Sequence, residues 1–375
     1  MSASRLAGLA LSGALLGTLD ACGARTGLGV PDVYDVPDVD DVNIDASDAT
    51  DVADVAACRE GRFVLTARAA DLIFVIDRST SMNQSLGSLS RWRALRNALA
   101  ASLPRFEAST NVGALFYPEA SSVSREASCQ VVNIPQLDLA PSTGNAGRVL
   151  DVFSTTAPNG STPTAAALLR AYNWVVRNPS RARARFLVLA TDGAPACNAA
   201  LNPATCACVT GGGGGGGGRC SDALRCLDDT RSIETVRQIA SNPLTAVPVY
   251  VVGLAGDNSP AYTATLRAMA VAGGRPNRAG GAPSFYDARE PETLGAALSA
   301  IQNEIARCTF VTPSRPTVTD GLRLSLNGRD VAYDPTRVNG WDWTDRAFGE
   351  LTLFGAACPS DASPDTQLVA TVACE

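Results

Sequence analysis

The chain contains no histidine, and all 31 of its basic residues are arginine. Both absences remove chemistry. Without imidazole there is no Ser-His-Asp or Cys-His nucleophile, no imidazole zinc ligand and no imidazole general base. Without lysine there is no phosphate-loop lysine, no Schiff base and no Ser-x-x-Lys acylation site. Carboxylates, thiols and a bound metal are the remaining routes to catalysis, so a binding protein is expected before an enzyme. Long apolar runs are also missing, and no stretch has the length of a bilayer-spanning helix.

The N-terminal segment 1–21 has the form of an export signal: Arg5 is basic, and 6–16 are apolar or small. It ends in Leu19-Asp20-Ala21-Cys22, which resembles the lipobox of bacterial lipoproteins. That resemblance implies cleavage before Cys22 and a lipid on its sulfur, hence a membrane anchor and a place in the bacterial cell envelope, outer membrane or periplasm. An ordinary signal peptide cut near Ala21 is the other reading. Of 11 cysteines, ten remain once Cys22 is assigned to lipid. Cys58, Cys129, Cys197, Cys206, Cys208, Cys220, Cys226, Cys308, Cys358 and Cys374 are an even set, and an exported compartment permits disulfides. A metal cluster at Cys197, Cys206, Cys208, Cys220 and Cys226 is disfavoured because no Cys-x-x-Cys pair occurs there.

Residues 31–57 carry nine Asp and no basic residue, with Asp-Val pairs and no aromatic cluster. The segment 22–57 is read as an acidic, self-repelling, disordered linker. Calcium binding by this tract is the weaker reading, because the calcium-loop pattern with its Gly and terminal Glu is absent. Removing the nine Asp takes the formal charge from −6 to +3, so the remainder is near neutral and shows no nucleic-acid footprint.

From 58 to 308 the chain alternates strand and helix patterns. Continuous apolar runs at 72–76, 112–117, 186–190 and 247–254 suit strands buried on both faces. Helical patterns occupy 89–103, 165–176, 221–240, 261–271 and 291–305, with Phe285-Tyr286 a further short strand. The expected fold is α/β, a doubly wound, mostly parallel sheet with helices on both faces. Eight glycines at 211–218 lack the Lys and Ser/Thr of a phosphate cradle and read as a surface loop. From 309 to 375, short alternating strands with Asn327-Gly328 and Asn339-Gly340 turns predict a small antiparallel β module, stapled by Cys358 and Cys374. Trp341 and Trp343 are read as core or edge aromatics of this module in preference to a carbohydrate-stacking platform.

Three segments carry the chemistry. The apolar run at 72–76 ends in Asp77-Arg78-Ser79-Thr80-Ser81, lifting three oxygen-bearing side chains into the loop at a strand's carboxyl end. In open α/β sheets that edge binds ligands. Gly160-Ser161-Thr162-Pro163-Thr164 and Thr191-Asp192-Gly193 supply further oxygens. Hard oxygen donors suit Mg²⁺, Mn²⁺ or Ca²⁺ rather than zinc or copper. Taken singly, each Ser or Thr is equally a helix cap and Thr-Asp-Gly equally a turn.

Together, these three segments in this order resemble the von Willebrand factor A domain and its metal-ion-dependent adhesion site. The resemblance covers about 58–308. It implies that Ser79, Ser81 and Thr162 act as oxygen ligands of a divalent cation, Mg²⁺ first. Asp77 and Asp192 would act through water or by hydrogen-bonding the ligand hydroxyls. It also implies a protein partner that offers an Asp or Glu carboxylate, and adhesion rather than catalysis. Ser161 departs from the second Gly common in this motif. A structural envelope component without obligatory metal and a metal-dependent hydrolase are the alternatives.

Overall fold

A computed structural model of the chain describes residues 58–65, 70–119, 124–131, 138–178, 184–192, 194–209, 220–242, 245–254, 260–278, 282–314, 316, 321–346, 349–358 and 367–374. The signal segment, Cys22, the acidic tract, Gly193, the glycine run 211–218 and positions 317–320 of the 309–375 module lie outside the described residues.

The chain enters through β1 (Gly61–Leu65), β2 (Ala70–Asp77) and the short hairpin β3 (Ser85–Leu86) and β4 (Leu89–Ser90), which leads into α1 (Arg91–Glu107). There follow β5 (Thr110–Tyr117), β6 (Leu139–Ser142), α2 (Ala146–Thr155), α3 (Thr164–Arg177) and β7 (Ala184–Thr191). Next come α4 (Asp229–Ser241), β8 (Val249–Leu254), α5 (Pro260–Ala272), β9 (Tyr286–Ala288) and α6 (Pro291–Cys308). The last part holds β10 (Thr309–Val311), β11 (Leu322–Leu326), β12 (Arg329–Val331), β13 (Gly340–Asp345), β14 (Glu350–Phe354) and β15 (Leu368–Val372).

Six strands form the main sheet in the order β6-β5-β2-β7-β8-β9. All neighbours are parallel except β6, which runs antiparallel to β5 at the edge. The strand run is continuous in hydrophobicity because both faces are covered. Phe74 and Ile76 of β2 face one core with Leu95, Leu99 and Phe106 of α1, Phe153 of α2 and Ile301 of α6. Ile73 and Val75 face the other, with Leu168 of α3, Ile239 of α4 and Met269 of α5. From β2 the chain crosses to β5 on one side and later returns to β7 on the other. The strand order therefore reverses at the carboxyl ends of β2 and β7, where the two loops diverge and leave a crevice.

Two elements were not legible in the sequence. β6 contains Pro141, which reads as loop; it is accommodated on this edge strand where the β5–β6 register shifts between Val112 and Ala114 and Gly113 leaves room, since a Cβ there would meet the proline ring at 2.8 Å. α2 follows directly on it. The helix expected over 221–240 begins only at Asp229. The preceding residues are claimed by disulfides, a single tight turn at Ala223–Arg225 and a bridge from Cys226 to Cys208.

The C-terminal module is a pair of antiparallel sheets, β1-β15-β11-β12 and β10-β14-β13. β1, read in the sequence as the start of the A-like region, adds to the edge of β15 across the module. This arrangement corrects the expected staple. Cys358 does not join Cys374. Cys58, just before β1, bonds Cys374 just after β15, and Cys308 at the end of α6 bonds Cys358 after β14. Each pair follows from strand addition that brings those two ends together. Trp341 and Trp343 of β13 are 1% and 7% exposed and meet edge to face at 5.5 Å, so they fill the module's core and present no stacking surface. Among the described residues no helix is long and apolar enough to cross a membrane.

Candidate metal centre

β2 delivers Asp77 fully buried at the crevice, and the chain then leaves the sheet through a loop that turns back on itself. The Ser79 amide donates to Asp77 Oδ1 at 2.8 Å, which fixes the loop to its own strand end. Ser79 and Ser81 hydroxyls lie 2.9 Å apart. The Ser81 hydroxyl donates to Asp192 Oδ1 at 3.0 Å, linking the end of β2 to the end of β7. Thr191, last residue of β7, donates its hydroxyl to Asp77 Oδ2 at 2.6 Å. Four of the five residues singled out in the sequence are thus joined directly.

The fifth, Thr162, arrives on the loop before α3. That loop is zipped to the first by backbone hydrogen bonds, Thr80 N–H to the Gly160 carbonyl at 3.0 Å and Asn159 N–H to the Arg78 carbonyl at 2.8 Å. Gly160 is required there: its φ is +92°, and a Cβ would meet Pro118 at 2.7 Å. Ser161, in contrast, is accommodated, with its hydroxyl 3.0 Å from that of Ser128. Thr162 is 6% exposed and lines, with Ser79 and Ser81, one open hollow of about 580 Å³.

The electrostatics favour a cation. Burial, and then the negative charge of Asp192, push the Asp77 carboxyl up from 3.8 to about 7. Two carboxylates are held close, and a cation beside them would favour the ionised form of both. Hydroxyls and carboxylates are hard donors, so the set fits Mg²⁺, Mn²⁺ or Ca²⁺. Among the described residues, one other cluster has metal-like spacing, the sulfurs of Cys206, Cys220 and Cys226 within 4.8 Å of one another. Each is committed to a disulfide, Cys206–Cys226 or Cys208–Cys220, and Cys129–Cys197 closes the third bond of this region.

One participant was not read in the sequence. Arg91, the first residue of α1, donates from Nη1 to Asp192 Oδ2 at 2.8 Å and to the Ser81 carbonyl at 3.3 Å. A signal for it exists: an Arg at the positive end of a helix dipole is unfavourable unless an anion compensates it.

No family model matches the sequence, and no curated protein matches it. Solved structures do resemble the fold. The pilus adhesin SpaC from Lactobacillus rhamnosus GG aligns with 82% of this chain at 15% identity and a TM-score of 0.47, and the chain spans 39% of that protein. The vWF domain of the type V pili tip protein Mfa5 from Porphyromonas gingivalis aligns with 68% of this chain and 99% of its own at 14% identity, TM-score 0.43. The manganese-loaded TRAP protein of Plasmodium vivax aligns with 74% of this chain and 93% of its own at 14% identity, TM-score 0.41. At such scores the likeness carries no weight on function, which rests on the site itself.

Proposed function

We propose that the chain is an exported, lipid-anchored cell-envelope adhesion protein built on a doubly wound A-type domain. Ser79, Ser81 and Thr162 hold a divalent cation by their hydroxyls, Mg²⁺ first and Mn²⁺ or Ca²⁺ as alternatives, while Asp77 and Asp192 hold the hydroxyls. When bound, the ion supplies an electron-poor position that accepts a carboxylate from an Asp or Glu of a protein partner. The protein residues do the rest. They fix three hydroxyl oxygens on two loops, keep the carboxylates behind them, and leave the hollow open to a partner. One observation carries the reading: Asp77, Ser79, Ser81 and Asp192 join in one hydrogen-bonded chain at the point where the strand order reverses.

Lipid anchoring at Cys22 and export belong to the same proposal, and five disulfides among the described residues are consistent with an oxidising compartment. The test is affinity capture from native envelopes in Mg²⁺, followed by elution with a chelator. Release by chelator supports adhesion through the ion. Retention in chelator favours a structural envelope component that assembles without metal. Hydrolytic turnover that Asp77→Ala abolishes would support the metal-dependent hydrolase instead.

A further inference from the structure

The charge balance at the crevice includes a third fixed group. Arg91 is 5% exposed, and its guanidinium is locked by Asp192 Oδ2 and the Ser81 carbonyl, one beyond the end of β7 and one beyond the end of β2. The ion pair is buried on both sides, with 6% and 3% of the two side chains exposed. Its Nε makes no hydrogen bond among the described residues, so the group is held for its charge and its two Nη1 contacts. Burying a charged group this deeply is costly and is offset only by close anionic partners.

The consequence follows from counting charge. With both carboxylates ionised, the state a cation favours, the buried groups Asp77, Asp192 and Arg91 sum to minus one, while the exposed Arg125 and Arg225 on the wall of the hollow are screened by water. A divalent cation then leaves plus one. That surplus lies beside an open hollow, in a site poorly screened by water, and is neutralised by one further anion. We infer that Arg91 makes ion and carboxylate binding cooperative: it weakens cation binding on its own and makes the anion's arrival strengthen it. By linkage the same factor raises affinity for the anion when the cation is present. This inference rests on the proposed cation site and adds the role of a residue outside it. Arg91 is here a positioning and charge-setting residue.

Removing a unit charge a few ångström from a divalent ion, at an effective dielectric of about 20, is worth on the order of tenfold or more in affinity. The experiment measures Mn²⁺ binding to the full chain by loss of the free-ion electron paramagnetic resonance signal, in chloride and in acetate at equal ionic strength. In the wild type, Mn²⁺ binds at least several-fold more tightly in acetate. Arg91→Gln keeps a donor for Asp192 and removes the charge. It is expected to bind Mn²⁺ about tenfold more tightly in chloride and to lose most of the acetate effect. Arg91→Lys keeps the charge and retains the acetate effect. Circular dichroism establishes that each variant is folded. A folded Arg91→Gln with wild-type affinity and wild-type acetate effect overturns the inference, as does a folded Arg91→Lys that loses the effect. A wild type that binds no Mn²⁺ in either salt overturns the cation site beneath it, a distinguishable failure.

Discussion

Replacing Asp77 by Asn alters a side chain with no solvent exposure, and its effect on stability is expected to reverse with the supply of cation. Without cation, burial and the charge of Asp192 hold the carboxyl at about 7 instead of 3.8. A carboxyl raised in this way is easier to keep protonated in the fold than in the unfolded chain. Its stabilising contribution is complete below the unfolded value and is lost as pH rises through about 7. By about pH 8 the ionised group costs the fold roughly 4 kcal/mol, from the difference between the two values at 1.36 kcal/mol each. Asn carries no such cost. Its single amide oxygen can keep only one of the two bonds the carboxylate accepts, from the Ser79 amide and the Thr191 hydroxyl. That loss returns about 1 kcal/mol. The cation-free variant should therefore be about 3 kcal/mol more stable than wild type near pH 8, and about 1 kcal/mol less stable near pH 4. Added Mg²⁺ should restore the wild type, by about 2.7 kcal/mol at a hundredfold excess over its dissociation constant, and leave the variant unchanged. Urea unfolding in chelator and in Mg²⁺ across this pH range measures all of these quantities. A variant less stable than wild type in chelator at the alkaline end would refute the reasoning, and so would an equal Mg²⁺ gain in both proteins.

Trp341→Ala empties the centre of the module's core, where the ring meets Trp343 and Tyr333, and should cost about 3–5 kcal/mol in urea unfolding; a loss below 1 kcal/mol would indicate that the module packs differently. Removing the Cys58–Cys374 bond, which joins positions 316 residues apart, by Cys58→Ser and Cys374→Ser together should cost roughly 2–5 kcal/mol and release β1 to faster amide exchange. Protection of β1 equal to wild type would show that strand pairing alone holds it. Cys22→Ser should move the protein from the membrane fraction to the soluble fraction, and persistent membrane fractionation would point to another anchor.

What could be read from sequence and what could not divides by range of interaction. The run from Leu72 to Ile76 is legible because burial on both faces demands unbroken hydrophobicity, and Asp77, Ser79 and Ser81 follow within a few residues of it. Thr162 and Asp192 are legible as local motifs, each fixed by a short loop. Their convergence is tertiary, set by the crossing from β2 to β5 and the return to β7. Arg91 carries no motif: it meets Asp192 only because the β3–β4 hairpin aims the first turn of α1 at the crevice. Disulfide partners were illegible for a similar reason. Nothing near Cys58 announces that Gly61–Leu65 will cross to the C-terminal module, whose register with β15 decides the bond. Trp341 and Trp343 alternate with Asp342 and read correctly as a sheet interior, since Asp342 finds Arg337 at 2.7 Å while the rings turn inward.

The most direct test is a crystal of the full chain soaked with Mn²⁺ and measured at the manganese absorption edge. The account predicts one anomalous peak coordinated by the Ser79, Ser81 and Thr162 hydroxyls, with Asp77 and Asp192 behind them. A well-ordered crystal with these loops in place and no such peak at saturating Mn²⁺ would contradict it.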